Sequence, residues 1–185
     1  MIDRKKISEI IRVNHAGEFG AKVIYDGQIA ALKLKRDHDG VELVRHMKHQ
    51  EDVHFDYFNC EISAQKIRPT IMQPVWKVGG FALGFLTAII DKRAAMCCTT
   101  AVEEVIDEHY QEQIKFIEKE ERFLEKNEAK KIAELKERIV KFREEELEHR
   151  DIGYEHKAQD LPYFKPLSAL VKMTTKFAIA VSKKI

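Results

Sequence analysis

The sequence predicts an all-α protein: a four-helix bundle with a long crossover between its second and third core helices, plus two further apolar helices. Three observations carry that prediction. Apolar residues recur at steps of three and four through four long segments, about residues 6–36, 40–67, 92–126 and 128–158. Glycine and proline are scarce, eight and four in 185 residues, which leaves few places to turn. No stretch keeps the strict alternation of a half-buried strand. Two helix pairs, each joined by a short turn and separated by a longer connection, give the crossover.

The elements follow in order. The first core helix ends at the turn Asp37-His38-Asp39-Gly40, and the second at Arg68-Pro69. An apolar tract at 71–90 comes next. Its uncharged run, Val78 to Ile90, is 13 residues long. A membrane span needs about 20 predominantly apolar residues, so this tract reads as an interfacial or core segment. The third helix breaks near Lys126-Asn127, and the fourth ends at Asp160-Leu161-Pro162. The tail, 163–185, alternates apolar groups with Lys165, Lys172, Lys176, Lys183 and Lys184, the composition of an amphipathic helix lying on anionic lipid. The length suits one domain, 1–185.

Composition removes several function classes. With 32 basic and 31 acidic side chains the net charge is +1, which argues against a nucleic-acid partner. The average conceals segregation along the chain: −1 over 1–63, +4 over 64–102, −7 over 103–160 and +5 over 161–185. The two basic blocks are also the two apolar ones. Cys60, Cys97 and Cys98 have no CxxC spacing and offer neither a disulfide framework nor a zinc site. The N-terminal stretch lacks the apolar core of a secretory signal and the character of a transit peptide.

The most informative residues are polar ones on apolar seams. The fourth helix reads Leu135, Ile139, Phe142, Glu146, His149, Gly153 along its inner face. The second reads Val44, Met47, Glu51, His54, Phe58. Each Glu-x-x-His pair projects in one direction, because residues three apart share a helix face. The other two helices each bring one seam carboxylate. Glu18 shares a face with Ala21, Tyr25 and Leu32, and Glu103 shares one with Thr99, Val102, Ile106 and Tyr110. Glu104 and Glu145 fall about 100° off these seams, and Glu104 reads as solvent-facing. The layout repeats, with Glu18 33 residues before Glu51 and Glu103 43 residues before Glu146.

Four buried carboxylates without a cation would be prohibitively costly. Two divalent ions would neutralise them, with two imidazoles completing the donor set. A single Glu on each of two helices and Glu-x-x-His on each of the other two is the pattern of ferritin-like di-metal carboxylate bundles. Carboxylate and imidazole donors suit iron or manganese.

Four stretches carry a more specific resemblance: Asn14-His15-Ala16-Gly17-Glu18-Phe19-Gly20-Ala21, Gln50-Glu51-Asp52-Val53-His54, Ala101-Val102-Glu103-Glu104, and Glu145-Glu146-Leu147-Glu148-His149-Arg150-Asp151-Ile152-Gly153. Together with the tract from Pro74 to Gly84, they closely resemble the demethoxyubiquinone hydroxylase family over about residues 7–185. That resemblance implies a di-iron monooxygenase that places one oxygen atom from O2 on the ring of a polyprenyl methoxy-methyl-benzoquinol, in ubiquinone biosynthesis. It implies two iron ions held by Glu18, Glu51, His54, Glu103, Glu146 and His149, with Glu51 and Glu146 bridging, and NADH as electron source. It also implies that His109 and Tyr110 match a His-Tyr pair suggested to relay electrons and protons near the metals, although relatives often carry a further His where this chain has Glu108. Many relatives have Asp in place of Asn14, which implies a weaker contact here to a histidine beside the ligands. His15, His38, His46, His49 and His156 read as solvated or as neighbours of the ligands, and Cys97 and Cys98 as packing.

A polyprenyl substrate gives the two apolar-basic tracts a purpose, as a peripheral membrane face. The expected location is the cytoplasmic side of a bacterial cell membrane, or the matrix side of the mitochondrial inner membrane in a eukaryote. Exposed apolar tracts also suit a homo-oligomer or a lipid-binding accessory protein. Two other readings fit part of the pattern: a ferritin-like iron-storage or peroxide-handling protein, and a non-catalytic helical bundle that docks a membrane.

Overall fold

A computed structural model describes residues 3–121 and 126–184. The described residues form six α-helices and a short 3-10 turn, with no strand. In chain order they are α1 (Arg4–Leu34), α2 (His38–Ala64), α3 (Gln73–Ile90), α4 (Lys92–Glu121), α5 (Lys126–Glu155), the 3-10 turn Ala158–Asp160, and α6 (Phe164–Ser182). The fold is the all-α, ferritin-like arrangement predicted from the sequence, with α1, α2, α4 and α5 as the core bundle and α3 as the crossover.

Helix ends differ from the predicted ones by a few residues, for local reasons. Asp3 caps α1 by accepting from the amides of Lys5 and Lys6. Asp37 caps α2 through the Gly40 amide at 2.9 Å, so that helix starts inside the predicted turn. Arg36, Lys66 and Lys157 all have positive φ (56°, 53° and 63°) and stop α1, α2 and α5 without a glycine. Lys126 and Asn127, expected at a break, belong to α5, and α4 is described as far as Glu121. Asp91 is extended and its side chain accepts from the Arg93 amide at 2.8 Å, which opens α4 directly after α3.

The bundle interior has three layers along its axis. One apolar cluster joins Tyr25, Leu32, Val44, Met47 and Met96. A second, at the other end, joins Ile11, Phe58, Tyr110, Ile117, Ile139 and Phe142. Between them lies a buried polar layer containing Glu18, Glu51, His54, Glu103, Glu146 and His149. Fully burying one large apolar side chain stabilises by about 1.5–3 kcal/mol, so the two clusters provide the frame that holds the polar layer together.

The outer helices cover the core. α3 lies on α1 with backbones almost touching. A Cβ on Gly84 would fall 1.9 Å from the Ile24 carbonyl oxygen, and one on Gly27 2.2 Å from that of Phe81. α6 lies against α4, where Lys172 pairs with Glu104 and Lys176 with Glu108. Glu104, predicted to face solvent, is half-buried under α6 and also accepts from the Tyr154 hydroxyl. α3 has 18 residues and a mean hydropathy of 1.2, long and apolar enough by those measures to cross a membrane. Its outward face leaves Val75, Val78, Leu86 and Ile90 more than half exposed, and that of α6 does the same for Leu170, Met173 and Phe177.

Candidate metal centre

The seams of α2 and α5 are buried as their periodicity requires, and each turns its Glu-x-x-His pair into the middle of the bundle. α1 and α4 bring Glu18 and Glu103 to the same level. The six side chains form two groups of four donors: Glu18, Glu51, His54 and Glu146, and Glu51, Glu103, Glu146 and His149. Within each group the donor atoms all lie within 4.8 Å of one another. Glu51 and Glu146 belong to both groups.

Both histidines point Nδ1 inward. His54 Nδ1 lies 3.2 Å from Glu146 and 3.5 Å from Glu18. His149 Nδ1 lies 3.1 Å from Glu51 and 3.2 Å from Glu146. Their Nε2 atoms point outward and are held across the bundle, His54 by Glu145 at 2.5 Å and His149 by Gln50 at 2.8 Å. Glu18 and Glu103, which belong to one group each, are each held by a tyrosine from the opposite half. Tyr25 donates to Glu103 at 3.0 Å, and Tyr110 donates to Glu18.

The donor set fits a pair of cations. Both Glu51 oxygens and Glu103 Oε2 are buried without a hydrogen-bond partner. Such orphaned acceptors are costly unless something positive meets them. No lysine or arginine is paired with any of the six residues among those described. Burial raises the pKa of Glu51 well above the usual carboxylate range, and the neighbouring Glu146 and Glu18 raise it further. Burial raises Glu103 in the same way, with Glu146 adding to it. Burial opposes ionisation of Glu146 too, yet hydrogen bonds with His149 and His54 hold its pKa below the usual range. Burial would lower His54, but Glu146 and Glu18 outweigh it and push the imidazole up to about 12. A pair of divalent ions would meet these carboxylates directly, since metal binding displaces protons from such donors.

The internal repeat is closer than the seams alone suggest. Residues 85 apart on α1 and α4 take equivalent places: Glu18 and Glu103, Tyr25 and Tyr110, Gln28 and Gln113, Asn14 and Thr99. On α2 and α5 the offset is 95: Gln50 and Glu145, Glu51 and Glu146, His54 and His149. The cross-pairs repeat as well. Asn14 and Gln113 exchange amide hydrogen bonds at 2.9 and 2.7 Å, and Gln28 donates to Thr99 at 3.3 Å. Asn14 therefore binds Gln113 rather than a histidine beside the donors. Seam periodicity gives Tyr25, Gln50 and Glu145 no part in the site; the 85-residue offset from Tyr110 is the signal that points to Tyr25.

Tyr110 sits with the donors, and its neighbour His109 does not. The His109 ring lies in a separate recess with Lys6, Glu9, Gln113 and Lys183, its Nε2 buried without a partner. Burial lowers its pKa to about 4, aided by Lys183 and Lys6. His15 is buried and stacked on Phe55, with ring centroids 4.8 Å apart. Cys97 and Cys98 are buried, and burial holds both thiols up, to about 11 and about 12.

A cavity of about 350 Å³ opens beside this layer. Gly17 and Ala21 of α1 and Val102 and Ile106 of α4, neighbours of Glu18 and Glu103 in the chain, form its inner wall. Trp76 and Leu83 of α3, with Leu170 and Ile179 of α6, form the outer one.

Comparison with known proteins agrees with this picture. Residues 5–182 match the family described as ubiquinone biosynthesis protein COQ7. The chain is 45% identical, over its whole length and 80% of the relative, to the NADPH-dependent 3-demethoxyubiquinone 3-hydroxylase, mitochondrial, of Dictyostelium discoideum. It is 44% identical to the 3-demethoxyubiquinol 3-hydroxylase of Rhodospirillum rubrum, over 97% of this chain and 78% of that one. The human NADPH-dependent 3-demethoxyubiquinone 3-hydroxylase, mitochondrial, is 41% identical over all of this chain and 80% of its own. The chain belongs to the COQ7 family, the demethoxyubiquinone hydroxylases of ubiquinone biosynthesis.

Proposed function

We propose that this chain uses O2 to hydroxylate a polyprenyl demethoxyubiquinol at a di-iron centre held by Glu18, Glu51, His54, Glu103, Glu146 and His149. The observation that carries the reading is the pair of four-donor groups sharing Glu51 and Glu146, within a family whose relatives are named as demethoxyubiquinol hydroxylases. When bound, the iron pair supplies two-electron activation of O2 for transfer of one oxygen atom to the quinol ring.

The protein's own residues set the conditions. Glu51 and Glu146 would be shared by the two ions, and Glu18 with His54, and Glu103 with His149, would each complete one donor set. Tyr25 and Tyr110 orient Glu103 and Glu18, and Tyr110 is placed to move a proton at Glu18. The apolar cavity takes the quinol head and excludes bulk water. The resemblance also gives His109, which lines its own recess beside Gln113, a part in relaying electrons and protons.

The cavity lies under α3 and α6, whose exposed apolar faces carry the exposed cations Lys77 and Lys165. These faces attach the protein peripherally to an anionic membrane, from which the polyprenyl substrate enters the cavity. The face is the cytoplasmic one of a bacterial membrane or the matrix one in mitochondria; the eukaryotic relatives are named as mitochondrial. A reduced nicotinamide nucleotide supplies the electrons. The resemblance implies NADH, whereas several relatives are named NADPH-dependent.

The test loads the full chain with Fe(II) and supplies a demethoxyubiquinol and reductant under ¹⁸O₂. The product should gain one labelled oxygen, and Glu103→Ala should abolish conversion while helicity stays intact. Normal conversion by Glu103→Ala overturns the ligand set. Flotation with anionic liposomes should carry the protein upward; failure to float overturns the membrane face.

A further inference from the structure

The six donors and the two tyrosines of the polar layer match residue for residue between the halves, whereas the residues behind the histidines do not. Glu18 and Glu103, Tyr25 and Tyr110, Glu51 and Glu146, and His54 and His149 are identical in type. The residue just before each shared glutamate is not: it is Gln50 in the first half and Glu145 in the second. These two residues hold the outward Nε2 atoms of the histidines, each across the bundle, at 2.5 Å for Glu145 on His54 and 2.8 Å for Gln50 on His149.

We infer that Glu145 and Gln50 are positioning residues that make the two metal positions unequal, with the His54 position the more strongly electron-donating one. The inference rests on the metal-centre reading above. With Nδ1 turned inward to a metal, each ring keeps its proton on Nε2 and donates it outward, which fixes tautomer and ring plane. A carboxylate accepts that proton in a charge-assisted hydrogen bond and leaves more negative charge on the imidazole. An amide oxygen does this more weakly. The orientation of Gln50 is itself fixed, because its Nε2 donates to Glu148 Oε2 at 3.4 Å and so turns its oxygen to His149. Glu145 Oε1 lies 3.5 Å from Lys141 Nζ, which leaves Oε2 to His54. Because the six donors and the two tyrosines are the same in both halves, this pair is the difference that touches the histidine rings' outward nitrogens. The His54 position should therefore hold its ion more tightly and favour its more oxidised state.

The test uses the full chain loaded anaerobically with ⁵⁷Fe(II), read by metal titration and Mössbauer spectroscopy. The wild-type protein should bind two ions with unequal affinities and give two distinct ferrous doublets of equal area. Glu145→Gln keeps the shape of the side chain and makes both halves amide-held. It should weaken one position by about 10- to 100-fold and bring the two doublets together. Gln50→Glu approaches equality from the other side, so a folding failure in one variant leaves the other to decide. One indistinguishable doublet in the wild-type protein, or variants with unchanged affinities and spectra, overturns the inference while leaving the metal centre in place. Equal weakening of both positions in Glu145→Gln, with the two doublets still apart, shows a merely structural role and also overturns it. Absence of bound iron from the wild-type protein overturns the metal-centre reading itself.

Discussion

The half made of α1, α2 and α3 and the half made of α4, α5 and α6 share one plan, but they keep it to different degrees at different depths. At the centre the match is residue by residue: a Glu and a Tyr on one helix, Glu-x-x-His on the next, each tyrosine crossing to the other half's carboxylate. At the periphery the two halves use different physics. The α1–α3 joint is backbone against backbone, possible because Gly27 and Gly84 carry no side chain. The α4–α6 joint brings Cys98, Ala101 and Val102 together with Val171 and Leu167, and pairs Lys172 with Glu104 and Lys176 with Glu108. The difference shows where the constraint lies. The donor geometry tolerates no drift, while a covering helix need only cover.

The largest break in the comparison should come at the glycine joint. Gly84→Leu cannot be absorbed by moving a side chain, since the obstructing atoms are the Ile24 backbone. Denaturant unfolding should show a loss of 3 kcal/mol or more, ~1–3 kcal/mol being usual for overpacking alone. The Gly153→Ala change in the second half should cost less, because the nearest atom there is the Thr100 methyl at 2.5 Å.

A smaller effect separates the halves by pH. His109 stands 85 residues after Ile24, so the second half places a titratable ring where the first has a branched aliphatic side chain. Its folded pKa is depressed from 6.5 to about 4, so the native state refuses a proton that the unfolded chain accepts. The contribution is complete above pH 6.5 and is lost as pH falls to about 4. Over that window His109→Ile should flatten the acid side of the stability curve by roughly 1–3 kcal/mol. Equal acid slopes in the two proteins would remove His109 from the account.

Next come the crossed tyrosines. Tyr25→Phe should weaken metal binding at the Glu103 position, and Tyr110→Phe at the Glu18 position, each by about tenfold or ~1.4 kcal/mol. Metal titration checks this, and the two variants should affect opposite positions. The smallest expected effect is at the helix stops. Arg36→Gly, at φ 56°, should raise stability by about 0.5–1 kcal/mol in a thermal melt.

The central layer was legible because polar residues there interrupt an otherwise apolar seam, and a helical wheel detects such an interruption. The wheel separates Glu146 from Glu145 correctly as to direction, but it cannot say what an off-seam side chain reaches. Glu145 meets His54 across the bundle, a contact that depends on how α2 and α5 are set against each other. Glu104 looked solvent-facing because the sequence did not show α6 lying over α4. His109 and Tyr110 are adjacent in sequence and about 100° apart on the helix, so they face different neighbours. Helix ends shifted where non-glycine residues adopt positive φ, a choice that their side chains do not advertise.

The most direct test counts iron in the full chain and in two alanine variants, loaded anaerobically under identical conditions. The shared role of Glu51 predicts about two ions per wild-type chain, close to none in Glu51→Ala, and about one in Glu18→Ala. Two ions retained by Glu51→Ala, or none bound by the wild-type protein, would contradict the account.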